Sequence, residues 1–506
     1  MITFIVSIVI LLLGYFIYGK LVEKNFGIDK SRKTPAYAKG DGVDYIPMKT
    51  WRIFMIQFLN IAGLGPIFGA IMGANFGTAS FLWIVFGCIF GGAVHDYLSG
   101  MISLRKNGVS LPEIHGEYLG KIPKQIMRVF MVVLMILVGV VFVAGPAGLL
   151  AKLTLEPIEQ LIELLRSWGL LATLTPAYLA NMFWIVVIFI YYILATLLPV
   201  DKIIGKIYPV FGFCLLFMAF GILLSIFIYQ PPLPEIWEGL QNKHPHADTV
   251  PIFPMMFISI ACGAISGFHA TQSPLMARCM KNEKYGRPVF FGAMITEGIV
   301  ALIWAFAASY FFFDTDQGKE ILGQRENAAI VVDAITKEWL GVVGGILAIL
   351  GVIAAPITSG DTAFRSARLI VADFLRYDQK PVRKRLYIAI PLFAAGLLIL
   401  IYSLMDKNGF EIIWQYFAWA NQALAAVTLW AITVYMFREK KCYFLSLVPA
   451  LFMTMVAATY IIHACGLTYT VSYWTAGIIT LLSLLLFIYH MRKYKQKRLH
   501  VYTPDN

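Results

Sequence analysis

The chain has 506 residues, of which 59% are apolar and only 14% are charged. Soluble domains are roughly half apolar and about a quarter charged, so this composition indicates a membrane protein and excludes an ordinary soluble enzyme. The net charge of +12 is spread over many short segments, which argues against a nucleic-acid-binding surface. We therefore expect the lipid bilayer as a partner and no nucleic acid.

Apolar runs of about 20 residues, each long enough to cross a bilayer core, recur along the whole chain. They predict an all-α polytopic protein with about 13 transmembrane helices in a single domain over residues 1–506. In chain order the predicted spans cover about residues 2–18, 53–73, 81–104, 127–150, 179–198, 207–229, 251–275, 289–312, 341–362, 386–404, 412–437, 443–463 and 470–491.

Basic residues predict the orientation of these spans, because cytoplasmic loops collect Lys and Arg. Most of the 41 Lys and Arg residues fall in alternate connecting segments, beginning with the segment after the first span. This bias places the N-terminus outside and the C-terminus in the cytoplasm. The first span lacks a preceding basic region and is followed by lysines, so it is predicted to be an uncleaved anchor.

Two of the predicted spans are broken by glycine, proline and polar residues. The second span contains Asn60-Ile-Ala-Gly63-Leu-Gly65-Pro66, and the seventh contains a polar, glycine-rich stretch from Cys262 to Pro274. A bilayer core tolerates unwound backbone only where it lines a cavity or is buried in protein. A matched pair of breaks in the two halves of a chain indicates the central site of a transporter.

Because the second and seventh spans run in opposite directions, spans 2–6 and 7–11 form two predicted five-helix inverted repeats of LeuT-like type. The repeats cover about residues 51–229 and 251–437, and the helices at 2–18, 443–463 and 470–491 are peripheral. The alternative interpretation is that the glycines of the broken spans only permit close packing of helices.

The N-terminus of a half-helix presents free backbone N–H groups and the positive end of a dipole, and so favours a carboxylate. The polar and glycine residues of the two breaks, with two amides of the eleventh span, are therefore the predicted substrate-binding residues. They are Gln57, Asn60, Gly63, Gly65, Pro66, Ser266, Gly267, His269, Gln272, Ser273, Asn421 and Gln422. For His269 a ligand contact, a proton carrier and a helix–helix hydrogen bond all remain open. Trp419 lines the path or packs against a neighbouring helix.

Titratable residues inside the predicted spans are candidates for proton coupling. A buried carboxyl group can take up and release a proton near neutral pH. The candidates are His95, Asp96, Glu297 and Asp361. A buried network that fixes helix packing is the competing interpretation for Glu297. For Asp361 the competing interpretation is an ion pair with Arg365 one turn later.

The ninth span carries a possible sodium site at Ala355, Thr358 and Ser359. In LeuT-like transporters the eighth core helix gives a sodium ion one carbonyl and two hydroxyls at this spacing. Oxygen ligands suit a hard cation. The two hydroxyls equally suit bonds to the backbone of their own helix.

Five segments together resemble the carbon starvation protein A family: residues 60–70, 91–105, 261–278, 354–373 and 420–426. The resemblance implies an importer of the bacterial inner membrane that is induced when carbon runs short. It implies uptake of peptides, with proton-coupled uptake of pyruvate as the alternative, and a small carboxylate-bearing solute in either case. No cofactor is expected beyond a coupling ion, H⁺ or Na⁺.

An intramembrane enzyme or redox subunit is the competing class of function. The six cysteines include no C-x-x-C pair, and no hydrolase or zinc-protease motif is present, so no metal site is predicted. His95 and His269 are the pair that a metal would require in the competing interpretation. The oligomeric state cannot be predicted from the sequence.

Overall fold

The computed structural model describes residues 1–42, 44–156, 159–160, 163, 175–197, 204–322, 327–377, 379, 381–405 and 409–502. Within these residues the regular structure is entirely helical. The helices α1 to α13 follow the predicted spans in order, and α2 and α7 are each divided into two parts. Their bounds are α1 Ile2–Phe26, α2a Thr50–Ile61, α2b Gly65–Ala74, α3 Ala79–Arg105, α4 Lys121–Leu153, α5 Pro176–Leu197, α6 Ile204–Tyr229, α7a Ile252–Met256 continued by Phe257–Ser259, α7b Gly267–Ala277, α8 Glu283–Asp314, α9 Asn327–Leu375, α10 Val382–Met405, α11 Gly409–Arg438, α12 Phe444–Ala464 and α13 Tyr469–Tyr502.

Ten of the described helices are long and apolar enough to cross a membrane, and the bent pair α2a and α2b adds an eleventh. The remaining two predicted spans correspond to α7 and α9. The pieces of α7 are short because an irregular segment separates them. The long helix α9 contains Gly341 at a positive φ of 64°.

The break in α2 bends the helix by 53°. It falls where Ala62, Gly63 and Leu64 interrupt the helical hydrogen bonds, and Pro66 then lies in the first turn of α2b, a favoured position for proline. Gly65 has no side chain at the point where α2b contacts Cys262 of the α7 break. A Cβ atom at position 65 would overlap that cysteine, so the two breaks pack directly against each other.

The connecting segments form two clusters, one at each end of the helices. The first cluster, here named the basic face, consists of residues 19–42, 44–49, 105–118, 278–287, 363–377, 379, 381–385 and 438–442. Arg105 Nη2 lies 2.9 Å from Glu283 Oε2, Arg287 Nε lies 3.1 Å from Glu23 Oε2, and the amide of Cys442 donates to Asn25 Oδ1.

The second cluster, named the opposite face, contains residues 74–78, 230–253 and 463–473. Thr78 Oγ1 donates to the carbonyl of Gly239, and Tyr473 Oη donates to that of Phe253. Thus α2 runs from the basic face to the opposite face and α7 runs back. Alternate connections meet at the same end, as the distribution of basic residues predicts.

Several helices extend beyond the predicted spans. The ninth span was predicted to end at residue 362, whereas α9 continues to Leu375. The prediction stopped early because Arg365 and Arg368 lower the hydropathy, yet both side chains are buried in protein. Apolar side chains that face outward, among them Leu482 and Leu486 of α13, form the surface that suits a lipid environment.

The half-helix α7b packs very closely against α11. A Cβ atom added to Gly267 would lie 2.5 Å from Leu424 Cβ, 2.6 Å from the amide nitrogen of Ala425 and 2.7 Å from the carbonyl oxygen of Asn421. Only a glycine permits this contact between two helix backbones.

Candidate transport site

Two histidines and two carboxyl groups from three helices form a buried chain beside the α7 break. His95 Nδ1 lies 2.7 Å from Asp96 Oδ1, Asp96 Oδ2 lies 3.0 Å from His269 Nδ1, and His269 Nε2 lies 3.6 Å from Glu297 Oε2. All four side chains are fully buried. The structure therefore joins α3, α7b and α8 through four of the residues predicted from the sequence.

The two ends of this chain differ from its centre. Both oxygens of Asp96 face an imidazole. At the two ends, the oxygens of Glu297 and Nε2 of His95 have no hydrogen-bond partner among the described residues. Burying a polar group without a hydrogen bond costs free energy, so each end is a place where a proton, a water or a solute group would be stabilised.

The N-terminus of α7b is already capped by an amide of α11. Asn421 Oδ1 accepts hydrogen bonds from Ser266 Oγ and from the backbone amide of Phe268, both at 3.0 Å. Asn421 Nδ2 donates to the carbonyl of Phe417 at 3.0 Å. The amide oxygen thus occupies the position at which the sequence predicts a substrate carboxylate.

Gln422 supports the other side of the same break. Its Nε2 donates to the carbonyl of Phe257 in α7a at 2.9 Å. Together, Asn421 and Gln422 hold both pieces of α7 in place. Their geometry is that of structural supports, and the predicted contact with substrate stays a prediction.

The α2 break, unlike the α7 break, contains side-chain amides without hydrogen-bond partners among the described residues. Gln57 and Asn60 are fully buried on α2a, and neither amide has a hydrogen-bond partner within the part of the chain that the structure describes. A buried polar group without a partner costs about 1–3 kcal/mol. On both residues the whole side-chain amide therefore remains available to a substrate.

The three residues of the possible sodium site lie together beside the α2 break. Thr358 Oγ1 lies 2.7 Å from the carbonyl oxygen of Ala355, and Ser359 Oγ lies 3.1 Å from the same oxygen. Ser359 Oγ also donates to the carbonyl of Leu59 at 2.8 Å. Leu59 was not predicted, because a carbonyl ligand leaves no signal in the identity of its residue.

Other predicted residues bond mainly within α7b or to neighbouring helices. Gln272 Nε2 donates to Thr271 Oγ1, and Ser273 Oγ donates to the carbonyl of His269. Asp361 Oδ2 accepts from Tyr191 Oη at 2.9 Å and so links α9 to α5. Trp419 Nε1 donates to the carbonyl of Ala457 on α12, a packing contact.

A cavity of about 530 Å³, here named the vestibule, opens on the opposite face. It lies between α2b, α4, the segment before α7, and α10 to α12. Its lining includes Lys152, His244 and His246 and, among the described residues, no acidic side chain. These three basic residues were not predicted, because nothing in their local pattern connects a helix end with a loop far along the chain.

A layer of aromatic rings separates the vestibule from the buried histidine. Phe68 and Trp414 line the vestibule, and Trp414 contacts Phe417 at a ring distance of 5.5 Å. Phe142 contacts Phe417 at 5.8 Å and Phe268, the neighbour of His269, at 6.3 Å. The structure is thus open toward the vestibule and closed at its base.

The metal alternative gains no geometric support from the described residues. No group of three or more His, Cys, Asp and Glu side chains among them is arranged to hold a metal ion. Nδ1 of His95 and Nδ1 of His269 are both directed at the carboxylate of Asp96.

The fold has the architecture of LeuT-like transporters. It aligns with the crystal structure of MhsT in complex with L-phenylalanine at a TM-score of 0.56 and 13% identity, covering 87% of this chain and 98% of that one. A manganese transporter of Eremococcus coleocola aligns at a TM-score of 0.51 and 12% identity, covering 92% and 99%. At these identities the similarity shows the fold alone.

The chain belongs to the family described as carbon starvation protein CstA, whose model matches residues 1–165, 170–343 and 326–460. It is 28% identical to the peptide transporter CstA of Bacillus subtilis over 89% of this chain and 88% of that protein. It is also 28% identical to the pyruvate/proton symporter BtsT of Escherichia coli, over 60% of this chain and 48% of that one. An uncharacterized membrane protein of Haemophilus influenzae is 47% identical over 62% and 91%.

These similarities confirm the class of protein that the broken helices indicate. The chain is a multi-pass membrane transporter with a LeuT-like fold, and it is not an enzyme.

Proposed function

We propose that this transporter imports a small carboxylate-bearing solute, a peptide in the first instance, in symport with protons. The observation that carries the proposal is the buried chain of His95, Asp96, His269 and Glu297. It supplies titratable side chains on the half-helix next to the central break and on the two helices that face it. Movement of α7b relative to α3 would open the contact between His269 and Asp96.

Proton uptake and conformational change are coupled through this contact. With a proton on the His269–Asp96 pair, the imidazolium and carboxylate attract each other across 3.0 Å of buried space. Release of the proton leaves a buried carboxylate opposite a neutral ring, which weakens the connection between α3 and α7b. Protonation therefore favours one arrangement of the two helices and deprotonation favours another, as alternating access requires.

The family and the volume of the vestibule support a peptide as the transported solute. The Bacillus subtilis relative is described as a peptide transporter, and a volume of about 530 Å³ lies in the range of sites that enclose ligands much larger than a three-carbon acid, roughly 300–1,000 Å³. Lys152 supplies a positive charge for a carboxylate at the entrance.

Pyruvate is the second candidate because the described vestibule lining is basic without an acidic residue. A peptide also carries an ammonium group, which an acidic side chain would recognise, whereas pyruvate carries only the carboxylate. The similarity to BtsT points in the same direction.

Sodium coupling is the alternative to proton coupling. The carbonyls of Leu59 and Ala355 and the hydroxyls of Thr358 and Ser359 lie near one another. We assign them to the support of the α2 break, because each hydroxyl already bonds to a backbone carbonyl.

Uptake into proteoliposomes tests the proposal. Labelled dialanine and labelled pyruvate are each offered under a proton gradient and under a sodium gradient. We expect dialanine to accumulate under the proton gradient, in wild type and in Ser359→Ala. Accumulation of pyruvate alone would replace the peptide by the second candidate. A requirement for sodium that Ser359→Ala abolishes would move the coupling site to α9.

A matched pair of histidine variants tests the buried chain. We expect His269→Gln to lose proton-driven accumulation, whereas His115→Gln retains it. His115 is also fully buried, but its Nε2 bonds to Thr428 Oγ1 at 3.3 Å, outside the chain. Equal losses in both variants would contradict the assignment.

We further propose that the protein lies in the bacterial inner membrane with its basic face in the cytoplasm. Two exposed cysteines report on this orientation, Cys442 on the basic face and Cys465 on the opposite face. A membrane-impermeant maleimide added to cells with a permeabilised outer membrane should label Cys465 and spare Cys442. The reverse pattern would invert the topology.

A further inference from the structure

A buried ion cluster closes the transporter on the basic face. Asp44 lies in the segment 44–49 that leads into α2a, here named the strap, and its Oδ1 lies 3.6 Å from Arg365 Nη1 and 4.0 Å from Arg368 Nη2. Both guanidinium groups are at most 1% exposed, and Asp44 is 5% exposed. Two charged groups of α9 are thus buried against a carboxylate carried by a loop.

At 3.6 and 4.0 Å, the contacts of Asp44 with the two guanidinium groups are electrostatic and longer than hydrogen bonds. Nε and Nη2 of Arg368 make no hydrogen bond within the described part of the chain, although Nη1 donates to Gln379 Oε1 at 2.6 Å. A guanidinium in a well-made pair binds a carboxylate through two parallel hydrogen bonds. Arg368 therefore retains the donors that a second, better-placed carboxylate would use.

Arg365 lies next to a contact between α9 and α7b, which a solute released toward the basic face would have to pass. Ser366, next to Arg365 on α9, donates to Gln272 Oε1 of α7b at 3.5 Å. Between them is a gap of about 10 Å³, lined by residues including Thr271, Arg278 and Leu369. A space of this size holds one water at most, so the path is closed in this structure.

Other contacts of the strap hold that closure. The amide of Met48 donates to the carbonyl of Cys279 at 3.1 Å, and Cys279 Sγ lies 3.8 Å from the carbonyl oxygen of Asp44. The guanidinium of Arg278 stacks on the ring of Tyr45 at 5.1 Å. The strap thus covers the end of α7b, and a movement that detaches the strap would take Asp44 away from the arginines.

We propose that Arg365 and Arg368 form a second carboxylate-binding site, which Asp44 occupies while the basic face is closed and which the carboxylate of the solute occupies during release. Removing Asp44 without a replacement would leave the buried guanidinium of Arg368 without the carboxylate that faces it, which is unfavourable. Opening is therefore favoured when a carboxylate arrives from the transport site. The inference rests on the proposed carboxylate substrate and adds a site on its exit path.

Binding of labelled pyruvate and labelled dialanine tests the site in purified protein. The variants are Asp44→Asn, which removes the carboxylate that faces Arg368, and the double variant Asp44→Asn with Arg368→Gln. We expect Asp44→Asn to bind the transported solute about tenfold more tightly than wild type, a change that corresponds to one lost competitor of modest affinity. The double variant should return to the wild-type value.

The alkylation rate of Cys279 reports the position of the strap. Cys279 is buried beneath the strap, exposed Cys442 serves as the standard, and buried Cys88 reports any general unfolding. We expect Asp44→Asn to speed alkylation of Cys279 while the rates at the other two thiols stay constant. In wild type, pyruvate or dialanine should speed it as well, and the uncharged pyruvamide should not.

Two results would overturn the inference. Faster alkylation in Asp44→Asn with unchanged solute binding would make Asp44 a latch on a site that binds no solute. Solute-insensitive alkylation in wild type, which needs no variant to fold, would show that carboxylates do not displace the strap. Both differ from a failure of the proposed function, which would appear as no uptake of either solute by wild type.

Discussion

The two helix breaks lie against each other but are built in opposite ways. At the α7 break, Asn421 and Gln422 supply hydrogen bonds to both half-helices. At the α2 break, Gln57 and Asn60 are buried without partners in the described part of the chain. The α7 break is thus held by the protein itself, whereas the α2 break keeps polar groups that a solute can bind. We infer that α7 positions the proton carrier and that α2 receives the solute.

The strongest way to break this comparison is to remove the carboxylate that faces His269. We expect Asp96→Asn to reduce proton-driven accumulation by about 100-fold, since general acid–base groups contribute factors of about 10² to 10⁴ in proton-transfer chemistry. Exchange of labelled for unlabelled solute, which needs no net proton transfer, should persist. Accumulation and counterflow are measured in the same proteoliposomes, and loss of both would point to a role in folding or binding.

Removing the α7 cap should affect stability before it affects binding. Asn421→Ala leaves Ser266 and the amide of Phe268 without their acceptor, and we expect it to lower the free energy of unfolding by about 1–3 kcal/mol. Gln422→Ala, which removes the hydrogen bond to Phe257, should cost less. Thermal unfolding in detergent measures both changes. An unchanged melting temperature in Asn421→Ala would contradict the scaffold role.

The α2 break should show the reverse pattern. We expect Asn60→Ala to raise the KM for the transported solute about tenfold, the loss of one hydrogen bond to a charged group. The melting temperature should hold or rise, because the substitution removes a buried amide that has no partner. KM is measured by initial uptake rates. A lowered melting temperature with unchanged KM would exchange the roles of the two breaks.

Substitution of Glu235, which lies far from both breaks, should have the smallest effect on the free energy of unfolding, and this effect should depend on pH. Glu235 on the opposite face accepts from the Met1 ammonium and from the amides of Ile2 and Thr3 at the start of α1. Partial burial raises the pKa of Glu235, but the hydrogen bonds from the Met1 ammonium and Thr3 outweigh it and lower the pKa to about 2.

Because this pKa is lowered on folding, the stabilisation is present above the unfolded pKa of about 4.3 and is lost as the pH falls toward 2. We expect Glu235→Gln to lower the free energy of unfolding by about 1 kcal/mol at pH 7 and to have no effect at pH 2. Uptake should be unchanged. Melting temperatures across this pH range check the prediction, and a loss that is independent of pH would contradict it.

The residues of this site can be predicted from the sequence better than the contacts between them. The breaks were visible because glycine and proline interrupt apolar runs at Gly63, Gly65 and Pro66, and physical constraints in a bilayer make such interruptions rare. His95 and Asp96 were visible because titratable groups are expensive within a span. Their proximity to His269 was not visible, since it depends on how α3 packs against α7b.

Other features needed the fold. The capping role of Asn421 depends on an approach between α7b and α11, and nothing in the local sequence around residue 421 records it. Arg365 and Arg368 count toward the Lys and Arg bias that predicts the topology, and Asp44 enters none of the predictions. Their burial follows from the course of the strap, which has no periodic pattern to predict it.

The glycine contact between α7b and α11 has a mechanical consequence. Because a Cβ at position 267 would meet backbone atoms at 2.6 and 2.7 Å, any slide or rotation that brings a neighbouring side chain of α7b to this point would produce a clash. Any hinge that tilts α7b must therefore carry α11 with it as one rigid body. The moving unit of the transport cycle then includes a helix from the end of the second repeat.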